Sequence, residues 1–148
     1  MPTWLIFALG TVCCWGAYGT AIHKSNALLA NPLKTALLVG VAYFFLAVLI
    51  PGLIMKSSGA DWSFPGKGMM FGLLAGSLGA VGAICVIYSM KSGGNPQYVM
   101  PIIFGCAPLV NVIVSSIAHP PKAVNPIFWL GVLVLASGAG MVLYYQPK

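Results

Sequence analysis

Five apolar runs of roughly 20 residues each, none holding an acidic side chain, leave this chain few ways to fold. They cover residues 3–22, 33–55, 66–90, 97–117 and 127–145. Crossing a hydrocarbon layer of about 30 Å takes about 20 apolar residues in a helix. A membrane β-barrel would alternate apolar and polar residues along each strand, whereas these runs are continuous. The sequence therefore predicts an all-α membrane protein, a bundle of about five transmembrane helices forming a single domain over 1–148. Composition closes the soluble alternative. Of 148 residues, 59% are hydrophobic and 5% charged, against about 25% charged in a typical soluble domain. No basic region precedes the first run, so that run is expected to stay as a spanning helix rather than act as a cleaved leader.

Charge and sulfur exclude several functions. The formal net charge is +6, but the lysines stand at or near the ends of the apolar runs, where they can snorkel to phospholipid headgroups. No basic cluster with interleaved aromatics exists, so nucleic acid is not an expected partner. Cys13, Cys14, Cys85 and Cys106 fall inside apolar runs without paired metal-ligand spacing. They read as small packing residues, and no metal or other cofactor is expected. Asp61 is the only acidic residue and lies in a link. A catalytic acid/base pair has no residues to form from, so the chain is not expected to be an enzyme.

The links carry turn punctuation: 23–32 ends in Asn31-Pro32, 91–96 reads Lys-Ser-Gly-Gly-Asn-Pro, and 118–126 holds Pro120, Pro121 and Pro126. In lipid, helices associate by close approach at small residues. Gly72, Gly76, Gly79 and Gly82 line one face of the third run. Gly10, Cys14, Ala17 and Ala21 do so in the first, and Ala136 with Gly140, and Gly131 with Gly138, in the fifth. These faces are expected to pack against neighbouring helices. The fourth run differs, with Pro101 and Pro108 seven apart and Asn111 and Ser115 four apart on nearly one face. Each proline removes a backbone hydrogen bond and favours a kink, which membranes tolerate beside a neighbour or a cavity. A helix-break or gating element and a plain kinked packing helix both fit.

Five crossings place Lys24, Lys34, Lys91 and Lys148 on one side and Lys56, Lys67 and Lys122 on the other, with Asp61. Four against three is a small lean toward a cytoplasmic carboxyl terminus under the positive-inside rule. A chain inserted both ways could pair antiparallel with itself, supplying an inverted repeat of the kind on which many transporters are built.

The order of features resembles the EamA-type repeat of the drug/metabolite transporter superfamily. Cys14-Trp15-Gly16 is followed by Lys24 just after the first run, and the third run closes in Ile87-Tyr88-Ser89-Met90. Met100 to Leu109 places two prolines in an apolar helix, and Phe128 to Gly138 is similar to the closing helix of the repeat. The resemblance spans nearly the whole chain. Members typically hold two such repeats of inverted topology, so it implies a half-size version needing a second copy or a paralogous half-transporter. The chain departs from the family where many members carry a Glu just after the fourth helix; here the residues are Ile117-Ala118-His119. It also lacks the first-helix Glu of the small multidrug relatives. An embedded carboxylate is the usual proton carrier, so proton-coupled efflux of that type is disfavoured. His23 and His119 read as interfacial hydrogen-bonding residues.

Any substrate path would be lined by polar and aromatic groups inside the runs. The candidates are Trp15, Tyr18, Tyr43, Tyr88, Asn111 and Ser115, with Pro101 and Pro108 as break points. Trp4, Trp62, Tyr98, Trp129, Tyr144 and Tyr145 lie at run ends and read as an interfacial belt. Lys24 and Lys91 could attract an anionic metabolite, lipid headgroup contact being the alternative. Two functions are compatible with these residues. One is a small-metabolite transporter in the cell (inner) membrane, working as a dimer of five-helix halves by facilitated diffusion or exchange on a small polar metabolite. The other is a non-transporting subunit of a larger membrane complex.

Overall fold

The computed structural model describes residues 2–118 and 125–147. Its described residues form five long helices: α1 (Thr3–Leu29), α2 (Pro32–Ser58), α3 (Gly66–Lys91), α4 (Pro96–Ala118) and α5 (Pro126–Tyr144). All five are long and apolar enough to cross a membrane. The chain is an all-α, multi-pass integral membrane protein. The 118–126 link, with His119, Pro120, Pro121 and Lys122, lies almost wholly outside the described residues, as does Lys148.

The helix ends follow from local chemistry. Asn31 caps α2, its side chain accepting from the Leu33 amide at 2.9 Å while Pro32 opens the helix. Asn125 caps α5 in the same way before Pro126. Gly59 ends α2 in the left-handed region, φ 66°, with its amide donating to Met55 O. That conformation costs glycine nothing and other residues about 1 kcal/mol or more. Ala30 adopts it without that advantage, φ 54°, to make the tight turn between α1 and α2.

Two elements differ from the sequence expectation. Residues 23–29 were expected as a link but continue α1, which reaches Leu29. The polarity of His23, Lys24, Ser25 and Asn26 does not end the helix, and Ser25 and Asn26 turn toward the other helices of their unit. At about 1.5 Å per residue, 27 residues extend about 40 Å, longer than the about 30 Å of a hydrocarbon layer. In α2, a π-helical turn occupies Phe45–Leu49, and the Ile50 amide donates to Phe45 O. Pro51 explains it. Its ring would strike the Ala47 carbonyl in a regular helix, and widening the preceding turn relieves the clash.

The chain forms two compact units. The first holds the amino-terminal part of α1, up to Gly19, with α4 and α5; the second, Thr20–Gly93, holds the end of α1 with α2 and α3. In the first, the α4–α5 contact is built on Gly105, where an added Cβ would come within 2.5 Å of Ala139 Cβ and 3.2 Å of Leu135 O. In the second, Ile87 on α3 is fully buried, with Ile22, Ala83 and Met90 beside it in burial. The expected glycine stripes do not make these contacts. Within its own unit, a Cβ on Gly72, Gly76, Gly79 or Gly82 would meet nothing within 4 Å, and the same holds for Gly10, Gly131, Gly138 and Gly140. Small residues permit close approach, but the partner helix decides which are used. The four cysteines, expected as buried packing residues, are exposed free thiols.

Candidate functional site

The first unit brings together the two-proline helix α4 and one of the expected aromatics. Trp15 on α1 faces Phe104 on α4, ring centroids 6.0 Å apart and planes tilted by 47°, within the range where aromatic pairs attract. Phe104 borders an open groove of about 430 Å³ between α4 and α5. The groove is lined by Pro101, Phe104 and Gly105 from one helix and Val134, Leu135, Gly138, Ala139 and Val142 from the other. Its floor is the Gly105–Ala139 crossing.

Residues at this spacing share a stripe of α4. From Pro101 the steps to Phe104, Pro108, Asn111 and Ser115 follow the three-and-four spacing of one helix face. Asn111 stands about 10 Å beyond Phe104 along the axis. The helix runs unbroken from Pro96 to Ala118 through both prolines. Neither proline carries an amide hydrogen, so the usual donors to Gln97 O and Phe104 O are missing. The stripe thus combines an aromatic ring, two carbonyls lacking their helical donors, an amide and a hydroxyl. Asn111 and Ser115 are exposed. Elsewhere in the spanning helices hydroxyls satisfy themselves locally, Thr11 Oγ1 donating to Phe7 O at 3.0 Å and Ser137 Oγ to Leu133 O at 2.8 Å.

The remaining candidates are distributed differently. Tyr18 is half-buried on α1 in the first unit. Tyr43 on α2 and Tyr88 on α3 belong to the second unit, and each presents roughly 45% or less of its surface. A longer apolar groove of about 710 Å³ runs along α2 past Leu33, Leu37, Gly40 and Phe44. Its lining is wholly apolar, with nothing to orient a polar ligand.

The polar contacts of the second unit were not anticipated. Asn26 is 7% exposed and its Nδ2 donates to Ile87 O at 2.9 Å. Ser25 Oγ and Thr35 Oγ1 lie 3.0 Å apart, and Thr35 is 1% exposed. These bonds join the end of α1 to the end of α3 and the start of α2. Asn26 Oδ1 is buried without a partner among the described residues. The sequence signal was a Ser-Asn pair one residue past a lysine, which resembles ordinary link composition. Gly105 was likewise legible only as one of many glycines.

Among the described residues no group of three or more His, Cys, Asp or Glu side chains could hold a metal ion. Asp61, in the α2–α3 link, accepts from the Ser63 hydroxyl and, at 2.9 Å, from the Ser63 amide. The hydroxyl bond, and then the amide bond, hold its carboxyl below the ordinary value. Searches of protein-family models, curated proteins and solved structures return no match to this chain.

Proposed function

We propose that the chain is a half-size transporter of the drug/metabolite type, a single EamA-like repeat acting as a dimer of five-helix halves. It moves a small polar metabolite by facilitated diffusion or exchange. The observation that carries this reading is the α4 stripe. A helix that keeps two prolines, an exposed amide and carbonyls without helical donors beside an open groove is costly in lipid unless something polar meets it. Trp15 and Phe104 supply an apolar wall, and Gly105 brings the two backbones close. The absence of Asp and Glu from every run favours diffusion or exchange over proton coupling. The second half is another copy, antiparallel insertion being compatible with the small lysine bias of four against three, or a paralogous half-transporter. The membrane is the cell (inner) membrane.

The test is reconstitution of the purified chain alone in liposomes loaded with hexose phosphates, amino acids or nucleosides, followed by counterflow of the labelled solute. Saturable uptake of at least one class is expected. Reporters fused at Lys148, active only inside or only outside, read the orientation, and signal from both sides supports an antiparallel homodimer. The second reading, a non-transporting subunit, is favoured by the open glycine face of α3. It wins if no solute enters and the carboxyl terminus lies on one side only.

A further inference from the structure

We infer that the end of the second unit where α1, α2 and α3 meet is a binding site for a phosphate group, held by Lys24, Lys34 and Lys91. The inference stands apart from the transport reading, since it concerns the second unit alone and needs no solute to cross.

The side-chain bonds at this end fix the backbone beside each of the three lysines, all at the same end of the unit. Ser25 and Thr35 meet at 3.0 Å, and Lys24 and Lys34 are the residues immediately before each. Asn26 holds the Ile87 carbonyl at 2.9 Å, and Lys91 lies one turn beyond Ile87 on the same face of α3. All three lysines are exposed while the residues that fix their positions, Asn26, Thr35 and Ile87, are buried. Three flexible cations are therefore mounted on a rigid base.

Nothing in the unit neutralises them. Asp61 lies past the opposite ends of α2 and α3 and is taken up by Ser63. The other two lysines of the unit, Lys56 and Lys67, lie at that opposite end with it. One end thus carries three positive charges without a counterion, and the other carries two beside a carboxylate. Cations held within about a Debye length of each other repel, so the first end gains from an anion that several ammoniums can share. A phosphate group suits this, because its oxygens accept from more than one Lys donor. The α2 amino terminus does not contribute, since Asn31 already occupies its Leu33 amide. Length agrees with the assignment, since the 27 residues of α1 exceed the about 20 that span the hydrocarbon and leave turns for the headgroup layer, where phosphates occur. The phosphate comes from an anionic lipid headgroup or from a phosphorylated solute at the membrane surface.

The experiment uses the full chain in nanodiscs, with Lys24→Gln, Lys34→Gln and Lys91→Gln singly and combined, and Lys56→Gln/Lys67→Gln as the control for charge alone. Retention of phosphatidylglycerol against phosphatidylcholine is counted by native mass spectrometry. Separately, inorganic phosphate and pyrophosphate are titrated against the unfolding midpoint in phosphatidylcholine discs. Each lysine neutralised in the trio is expected to weaken binding about fivefold, with the control pair near wild type. The single variants keep the test valid if the triple variant does not fold. Loss of phosphatidylglycerol adducts in the trio alone assigns a lipid headgroup, and loss of the phosphate-induced shift in the trio alone assigns a solute. Absence of both ligands from the wild type, or equal weakening in trio and control, overturns the site.

Discussion

The two units hold their helices by different chemistry. In the first, α4 and α5 touch backbone to backbone, Gly105 leaving no room for a Cβ against Ala139, and Trp15 meets Phe104 ring to ring. In the second, side chains reach across, Asn26 to the Ile87 carbonyl and Ser25 to Thr35. Lipid removes the hydrophobic drive between helices, so packing and hydrogen bonding remain as the means of association. A steric crossing tolerates no added atom but leaves its groove open. A polar pin tolerates changes in volume but needs its donor. The groove accompanies the first kind of contact and the cationic end accompanies the second.

The comparison is open to graded tests. Gly105→Leu should have the largest effect, destabilising the protein by about 1–3 kcal/mol through overpacking against Ala139. Unfolding in detergent measures it, and Gly76→Leu, on the open face of α3, should leave the midpoint of the monomer near wild type. Equal losses would mean that the α3 stripe is also packed. Asn26→Leu should cost less, about 0.6 kcal/mol and at most about 1.7, the range for interhelical hydrogen bonds in membranes. Thr35→Val should fall at or below that, and the double variant Ser25→Ala/Thr35→Val should add little to it, since one bond is removed once.

The smallest effect concerns Asp61. Its carboxyl is held below the ordinary value by the Ser63 hydroxyl and amide, so the folded link favours the charged form. That contribution is fully present above the ordinary carboxylate range and disappears as pH falls through the lowered value. Hydrogen exchange of the Ser63 amide should therefore quicken only in acid, and Asp61→Asn should abolish the dependence. An unchanged acid response in Asp61→Asn would remove the link from the account.

Architecture was more legible than contact. Five uninterrupted apolar runs determine the number of helices, because no other structure satisfies backbone polar groups in lipid. Ends marked by Asn31-Pro32, Asn95-Pro96 and Asn125-Pro126 came within one or two residues of the observed helix starts. The end of α1 lies seven residues past the expected end because polar residues do not stop a helix, and here Ser25 and Asn26 bond to neighbouring helices. Among the site candidates, Trp15, Pro101, Pro108 and Asn111 were legible as polar, aromatic or helix-breaking groups where lipid disfavours them. The groove that Pro101 shares with α5, and the contact of Trp15 with Phe104, were not. Which of 18 glycines meets a neighbour depends on helix rotation, and every apolar face of a lipid-facing helix looks alike in sequence. Asn26 is not legible in the sequence because its partner is a backbone carbonyl 61 residues away, and carbonyls leave no sequence signal.

The proposed role of the α4 stripe is tested most directly by Pro108→Ala in the liposome counterflow assay. The substitution returns an amide donor to Phe104 O, whose residue lines the groove. Solute uptake is expected to fall at least about tenfold, a barrier change of about 1.4 kcal/mol, while the unfolding midpoint stays the same or rises. Wild-type uptake that survives Pro108→Ala unchanged, or no uptake of any solute by the wild type, would contradict the account.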